Sequence, residues 1–189
     1  MIINNDIMFD CGIPFKKMKK YLYDIKYLII THVHTDHLKL ETLLQIMRNF
    51  PRIQVIGNYE VHQAAMVNHI ANAGHDIKTE DYVFTPFECF HDVLTYGYVF
   101  SIGDDRIIYC TDTSSLDNAP IEKYDYFFLE SNHDEAKLEQ IRNQKKGRYD
   151  PYMSGKRHLS TQAAKTFFYM NRRSKDSELI ELHKSSRFY

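Results

Sequence analysis

Residues 28–40 read LIITHVHTDHLKL, an apolar run followed at once by three histidines and an aspartate within six positions. The segment Tyr27 to Ile30 is short, apolar and partly β-branched, which predicts a buried strand. In extended backbone, side chains two apart point to the same side, so His32 and His34 can share one ion, and a neutral imidazole is a good zinc ligand. Asp36 and His37 are adjacent and must diverge, which suits a second ion on the other side of a shared water. One loop at a strand end thus feeds two metals. A solvated polar turn would have no reason to gather four metal-capable side chains there.

One loop cannot complete two coordination spheres, so further ligands are expected at other strand ends. His91 follows the strand-like YVFTPFEC, Asp112 follows RIIYC, and His183 follows the apolar ELIEL. In an α/β sheet, side chains converge on a ligand where the strands run out. The strand-like segments are Ile7–Phe9, Tyr27–Ile30, Ile53–Ile56, Tyr82–Phe84, Tyr96–Ile102, Arg106–Cys110, Tyr124–Leu129 and Glu178–Leu182. Helix-like spacing marks Phe15–Tyr23, Leu38–Phe50, Tyr59–Ala73, Glu135–Gln144 and Ser160–Asn171, for example at Leu40, Leu43, Leu44 and Met47. The mixture predicts an α/β protein. Residues 147–158, with their glycines, proline and polar side chains, read as a loop. His62, His69 and His75 belong to no motif and read as ordinary surface or helix histidines.

The rest of the composition bounds the reading. A chain of 189 residues without internal repeat, low-complexity tract or linker fits one domain spanning residues 1–189. No run approaches the roughly 18 apolar residues that span a membrane, and the N-terminus lacks a basic region followed by an apolar stretch, so a cytoplasmic protein with no membrane partner is expected. Cys11, Cys89 and Cys110 are widely spaced within or beside apolar segments and are expected as buried free thiols. With a formal net charge of -1, a polyanionic partner must be held by a local patch. Basic residues cluster at 15–21, at 141–148, at 155–158 and at Arg172 and Arg173. The first cluster reads as a solvated face.

The motif THVHTDH at 31–37, followed in order by a single His, a single Asp and a final His, resembles the signature of the metallo-β-lactamase-fold hydrolases. LESNHDEAKL at 129–138 and RHLSTQAA at 157–164 are similar to the WalJ-type branch of DNA exonuclease-like proteins, and the ending ELHKSSRFY is similar to the last motifs of tRNase Z. The resemblance runs from about Ile7 to the C-terminus. It implies an αββα sandwich of two mixed sheets flanked by helices. It further implies that His32, His34 and His91 hold one metal, that Asp36, His37 and His183 hold a second, and that Asp112 bridges both. His158 would donate a proton to the leaving oxygen with Glu130 orienting it, so that Asp36, His158 and Glu130 form the catalytic set. His133 matches the WalJ-type pattern without a firm role; binding substrate and pinning a loop are the alternatives. Lys156 and Arg157, beside the proposed acid, are the candidates for gripping a phosphate backbone.

Two divalent ions about 3.5–4 Å apart lower the pKa of a shared water and clamp attacking and departing oxygens, which suits a phosphodiester. Zinc is expected from the His-rich set, while Mn2+ and Fe2+ also fit the carboxylates. The function implied is a metal-dependent phosphodiester hydrolase, WalJ-like and acting on DNA. A hydrolase of a small phosphodiester such as a cyclic nucleotide is the alternative, and a truncated non-catalytic binding module is the alternative of another class. The departures are specific. The strand hairpin that usually precedes the IMFDCG segment is missing from the pattern, which would leave an edge open to pairing with a second copy as a homodimer. Leu38-Lys39-Leu40 replaces the small residues that commonly follow the first motif, and Arg157 stands where the WalJ-type branch tends to have glycine.

Overall fold

The computed structural model describes residues 1–142, 144 and 150–185, and the chain divides into two units, Met1–Ile77 and Lys78–Tyr189. Asn143 and residues 145–149, which include much of the basic stretch 141–148 and the start of the loop at 147–158, lie outside the described residues.

The first unit runs β1 (Ile2–Ile3), β2 (Ile7–Phe9), α1 (Phe15–Met18), β3 (Tyr27–Ile30), α2 (Leu40–Asn49), β4 (Gln54–Gly57), α3 (Tyr59–Ala65) and β5 (His69–Ile70). Its five strands lie in sequence order in one sheet. β1 pairs antiparallel with β2, and the remaining neighbours are parallel. All four residues of β3 are buried, the continuous apolar pattern of a strand covered on both faces. β1 and β2 form a hairpin over residues 2–9, whose loop places Asn4 and Asn5 at φ 51° and 61°, a region asparagine tolerates better than most residues. Sequence pattern had left β1 unread because two residues carry no periodicity.

Helix α2 buries Thr42, Leu43 and Ile46, while Leu40 and Leu44 are exposed. The apolar stripe at Leu40, Leu43, Leu44 and Met47 is therefore rotated from the face that packs. Thr42 Oγ1 fixes the helix by donating to the Ile13 carbonyl at 2.9 Å. Leu43 and Ile46 join Met8, Leu22, Leu28, Ile30 and Val55 in the core of this unit. Helix α3 ends at Ala65, short of the expected Ala73, because Met66 turns into the left-handed region at φ 40° and caps back onto the His62 carbonyl. His69 then lies in β5, where its Nε2 meets Gln54 Oε1 at 2.8 Å.

The second unit's sheet starts at β6 (Ile77–Lys78), where the chain passes from one unit to the next, and adds β7 (Val83–Glu88), β8 (Tyr96–Ile102), β9 (Asp105–Cys110), β10 (Tyr126–Glu130) and β11 (Glu178–Leu182). The order is β11-β10-β9-β8-β7-β6. β7, β8 and β9 pair antiparallel, and β9, β10 and β11 run parallel, so three strands end at the same edge carrying Asp112, Glu130 and His183. The helices are α4 (Glu135–Gln140), α5 (Pro151–Gly155) and α6 (Thr161–Asn171). Helix α5 falls inside the expected loop. Asp150 caps it by accepting from Met153 N at 3.1 Å, and Pro151 occupies its first turn, where the missing N–H costs nothing. The core gathers Val99, Ile108, Tyr124, Phe127, Leu129, Ala164 and Phe168. The expected mixed α/β fold with two mixed sheets is observed.

All three cysteines are buried and free. Cys89 Sγ and Cys110 Sγ lie 3.4 Å apart among the core residues, and the neighbouring thiol together with burial pushes the Cys110 thiol up. Burial, with the charge of Asp10, pushes the Cys11 thiol up to about 12. They are packing residues, as expected.

The loop that carries THVHTDH is docked in part by backbone. Cys11 N donates to the His37 carbonyl at 2.7 Å, and Lys39 N donates back to the Cys11 carbonyl at 3.4 Å. Gly12 permits this approach, because a Cβ there would overlap the Asp36 carbonyl. Gly12→Ala is therefore expected to destabilise the protein by about 1–3 kcal/mol, since the clash falls on backbone that cannot rotate away. Urea denaturation checks this, and an unchanged midpoint would show that the loop shifts at no cost.

Candidate metal centre

In the first unit, His32 is fully buried behind β3, and its ring lies 4.8 Å from that of His34 and 4.3 Å from that of His37, centroid to centroid. Asp36 is largely exposed, with Oδ2 3.8 Å from His37 Nε2. The four residues of the motif are thus brought together locally.

Their orientation is set by Asp10, a residue that sequence reasoning passed over. Asp10 follows β2 with φ 62°, a conformation that costs a non-glycine residue of order 1 kcal/mol or more. Its Oδ1 accepts from Thr31 N at 2.9 Å and from Thr31 Oγ1 at 3.0 Å. Its Oδ2 contacts His37 Nδ1 at 2.7 Å. Because the Thr31 hydroxyl donates to the carboxylate, its lone pairs face His32 Nδ1 at 3.0 Å and accept from it. One carboxylate therefore places the proton on Nδ1 of both imidazoles, directly for His37 and through Thr31 for His32. Each ring is left in the tautomer whose Nε2 lone pair coordinates a metal. The only sequence signal was an aspartate ending a short strand, in IMFDCG.

In the second unit, Asp112, Glu130, His158 and His183 each offer a ligand-capable atom within 4.8 Å of the others. Glu130, at the end of β10, is completely buried. Its Oε1 accepts from His158 Nδ1 at 2.7 Å and from His183 Nδ1 at 2.8 Å. Its Oε2 accepts from Thr113 N at 2.8 Å and Leu159 N at 3.3 Å. Burial alone would push this carboxyl up, but the hydrogen bonds from His158 and His183 outweigh it and hold Glu130 below its ordinary value. It is a carboxylate whose acceptor sites are filled by donors. Nδ1 is accordingly protonated on both rings, and Nε2 is the nitrogen turned away from Glu130.

Asp112 and His183 take left-handed backbone, each at φ 52°, where β9 and β11 run out. The turn brings Asp112 Oδ1 to 3.2 Å from His183 Nδ1, while Oδ2 accepts from Thr111 Oγ1 at 2.9 Å. Thr113 ties in a fifth residue, His91. Besides donating its N–H to Glu130, its Oγ1 accepts from Phe90 N at 3.0 Å, immediately before His91. His91 Nε2 lies 3.2 Å from Asp92 Oδ1, and its ring is 6.0 Å from that of His158. In each unit, imidazoles posed by a carboxylate through Nδ1 are the donor chemistry of a transition-metal or zinc site, so the residues of each unit fit a divalent ion.

The candidate substrate residues behave differently from one another. Lys156 and Arg157 are exposed, but Arg157 Nη1 lies 3.9 Å from Asp92 Oδ2. His133 is 3% exposed; its backbone pairs with Ser160, and its carbonyl accepts from Thr161 N at 2.8 Å. Its main chain thus pins the loop, while its side chain lines a cavity with Lys156. The lysines of the 15–21 cluster are exposed around a buried Met18, and Arg173 pairs with Asp125 at 2.9 Å.

The family model for the beta-lactamase superfamily domain matches residues 5–138, and the chain belongs to that superfamily. Among solved structures, the chain is similar to the metallo-beta-lactamase fold protein YhfI from Bacillus subtilis, at 17% identity and TM-score 0.68 over 98% of this chain and 77% of that one. It is similar to the short form of human tRNase Z at 17% identity and TM-score 0.66, over 99% and 85% of the two chains. It is also similar to a diphosphatase of the PhnP family at 17% identity and TM-score 0.66, over 99% and 72%. At these identities the likeness shows the metallo-β-lactamase fold. No curated protein matches the chain. Among the described residues, no helix is long and apolar enough to cross a membrane.

Asp10→Ala removes the group that poses His32 and His37 without removing a proposed ligand. Zinc affinity is expected to fall about 10–100-fold, the usual effect of losing such a support. Competition against a chromophoric chelator measures it, and an affinity equal to that of the parent protein would show that the imidazoles need no posing.

Proposed function

We propose that the chain is a metal-dependent hydrolase of phosphodiester bonds in nucleic acid, a WalJ-like DNA nuclease. The observation that carries the reading is His158, hydrogen-bonded through Nδ1 to a buried carboxylate that also holds His183. His158 sits directly after the cationic pair Lys156 and Arg157. A tRNase Z and a diphosphatase among the similar structures support this class of chemistry.

Two divalent ions, with zinc expected, are the proposed cofactors. Following the motif resemblance, His32, His34 and His91 are assigned to one, Asp36, His37 and His183 to the other, and Asp112 to both. When bound, such a pair supplies a water acidic enough to attack and a positive clamp on the substrate's oxygens. The chain's own residues supply the rest. Glu130 holds His158 through Nδ1, so Nε2 is the nitrogen left to hand a proton to the departing oxygen. The same carboxylate prevents either ring from rotating, because a turn of His158 or His183 would leave a buried charge short of a donor. Asp36 and Asp112 would offset the positive charge of bound divalent ions. Lys156 and Arg157 would meet phosphate oxygens without reading sequence.

His158→Ala is expected to retain both metals and to lower turnover by about two to four orders of magnitude on DNA. The loss should shrink on a nitrophenyl phosphodiester, whose leaving anion needs little protonation. Metal analysis with steady-state kinetics tests this. Loss of an ion in the variant would exchange the roles of His158 and His183, and unchanged turnover on every substrate would remove His158 from the chemistry.

Asp112→Ala is expected to lose more than one equivalent of metal, whereas His34→Ala should chiefly weaken one site. Elemental analysis of the two purified variants decides, and full metal content in the Asp112 variant would contradict its assignment to both ions.

A further inference from the structure

Beside His158 the second unit contains a cavity of about 340 Å3, lined by His133, Glu135, Leu138, Glu139, Tyr152 and Lys156. Its volume is in the range of small-molecule pockets, about 300–1,000 Å3. The imidazole of His133 is buried at 3% exposure, and its Nδ1 has no hydrogen-bond partner among the described residues. That nitrogen is sealed from the cavity, so a ligand there would meet the edge of the ring and not Nδ1. Burial, reinforced by the nearby Lys156 ammonium, holds the His133 pKa below its ordinary value, so the ring is neutral at physiological pH.

The lining is a poor match for a phosphate group. Two carboxylates, Glu135 and Glu139, face a single lysine, and their charge would repel a dianion. Both are already engaged. Glu135 Oε1 accepts from Ser160 Oγ at 2.6 Å, and Glu139 pairs with Arg142 at 2.8 Å while accepting from the Tyr152 hydroxyl at 3.2 Å. That last bond fixes the Tyr152 ring, over which the Lys156 ammonium lies 5.8 Å from the centroid and the Arg142 guanidinium 5.5 Å. Lys156 is exposed, and its long side chain can swing aside. Leu138 is held in the wall by helix packing, since a Cβ on Gly155 would overlap its side chain. The cavity therefore offers aromatic and apolar surface for two flat faces, and a neutral imidazole, carboxylates and an ammonium for a polar edge.

We propose that this cavity is a nucleoside subsite, in which the base of a nucleotide near the scissile phosphate packs against Tyr152 and meets His133 with its polar edge. The subsite rests on the reading of the chain as a nucleic-acid hydrolase. Its position follows from the chain itself: Lys156 lies two residues before His158, and His133 three residues after Glu130, which orients His158. Base stacking on an aromatic ring is tolerant of sequence, so the subsite would favour nucleotides as a class without selecting one base.

The test compares two esters with one leaving group, thymidine 5′-(p-nitrophenyl phosphate) and methyl p-nitrophenyl phosphate, on the zinc-loaded full chain. The parent protein is expected to prefer the nucleoside ester by at least about tenfold in kcat/KM, the scale of one stacked base. Tyr152→Leu should bring that ratio close to one, and Tyr152→Phe, which keeps the ring, should preserve it. Binding of thymidine and of ribose 5-phosphate, followed by ligand-observed NMR, reads the cavity without turnover. Thymidine binding that weakens about tenfold in Tyr152→Leu and in His133→Ala supports the subsite even if neither ester is cleaved, an outcome that would overturn the hydrolase reading alone. A parent ratio near one, or binding of ribose 5-phosphate but not thymidine, overturns the subsite while leaving the hydrolase reading in place.

Discussion

The second unit is organised around one fully buried carboxylate. Glu130 sits at the end of a central parallel strand, where burial alone would neutralise it, and it keeps its charge because four donors converge on its two oxygens. Two of those donors are the imidazoles of His158 and His183, and two are backbone N–H groups of the loops that carry Asp112 and His158. The requirement to satisfy one charge thus fixes the tautomer and direction of two rings and the course of two loops. Removing any one donor leaves a buried anion short of a partner, which is why the arrangement holds side chains from three distant stretches of sequence in register.

Asp10 repeats the device in the first unit on a smaller scale. It also ends a short parallel strand, adopts left-handed backbone, and spreads one carboxylate over Thr31 and His37. In both units the strained turn after a strand aims a carboxylate or imidazole that regular geometry would point elsewhere. Asp10, Asp112 and His183 are three of the non-glycine residues with positive φ among those described, and each stands among the metal-capable side chains of its own unit. Backbone strain and metal-capable chemistry coincide, as expected of a site over-determined by its surroundings.

Much of this was legible in the sequence, and the parts that were not share a cause. β2, β3, β8 and β11 were read at their observed limits because their apolar runs are long or β-branched enough to speak for themselves. THVHTDH stands out in the sequence by the density of its metal-capable side chains alone. β5 and β6 are two-residue strands with no period to read, and α5 is hidden in a polar stretch whose cap and proline resemble a turn. Asp10 was silent because its partner His37 lies 27 residues away. The motif resemblance assigned Glu130 to His158, but its equal bond to His183, 53 residues on, required the parallel pairing of β10 and β11 to be known. Local pattern fixes which residues can do chemistry, whereas long-range pairing decides which carboxylate poses which ring.

The division of labour between the two rings on Glu130 is the central proposal: both would present Nε2, His183 to a metal and His158 to the leaving group. Long-range 1H–15N NMR of histidine-labelled protein, recorded before and after zinc, reads both rings at once. The account predicts Nδ1–H on His158 and His183 in the metal-free protein, and a zinc-induced shift of Nε2 in His183 but not in His158. Protons on Nε2 of the neutral rings, or coordination of His158 by zinc, would contradict it.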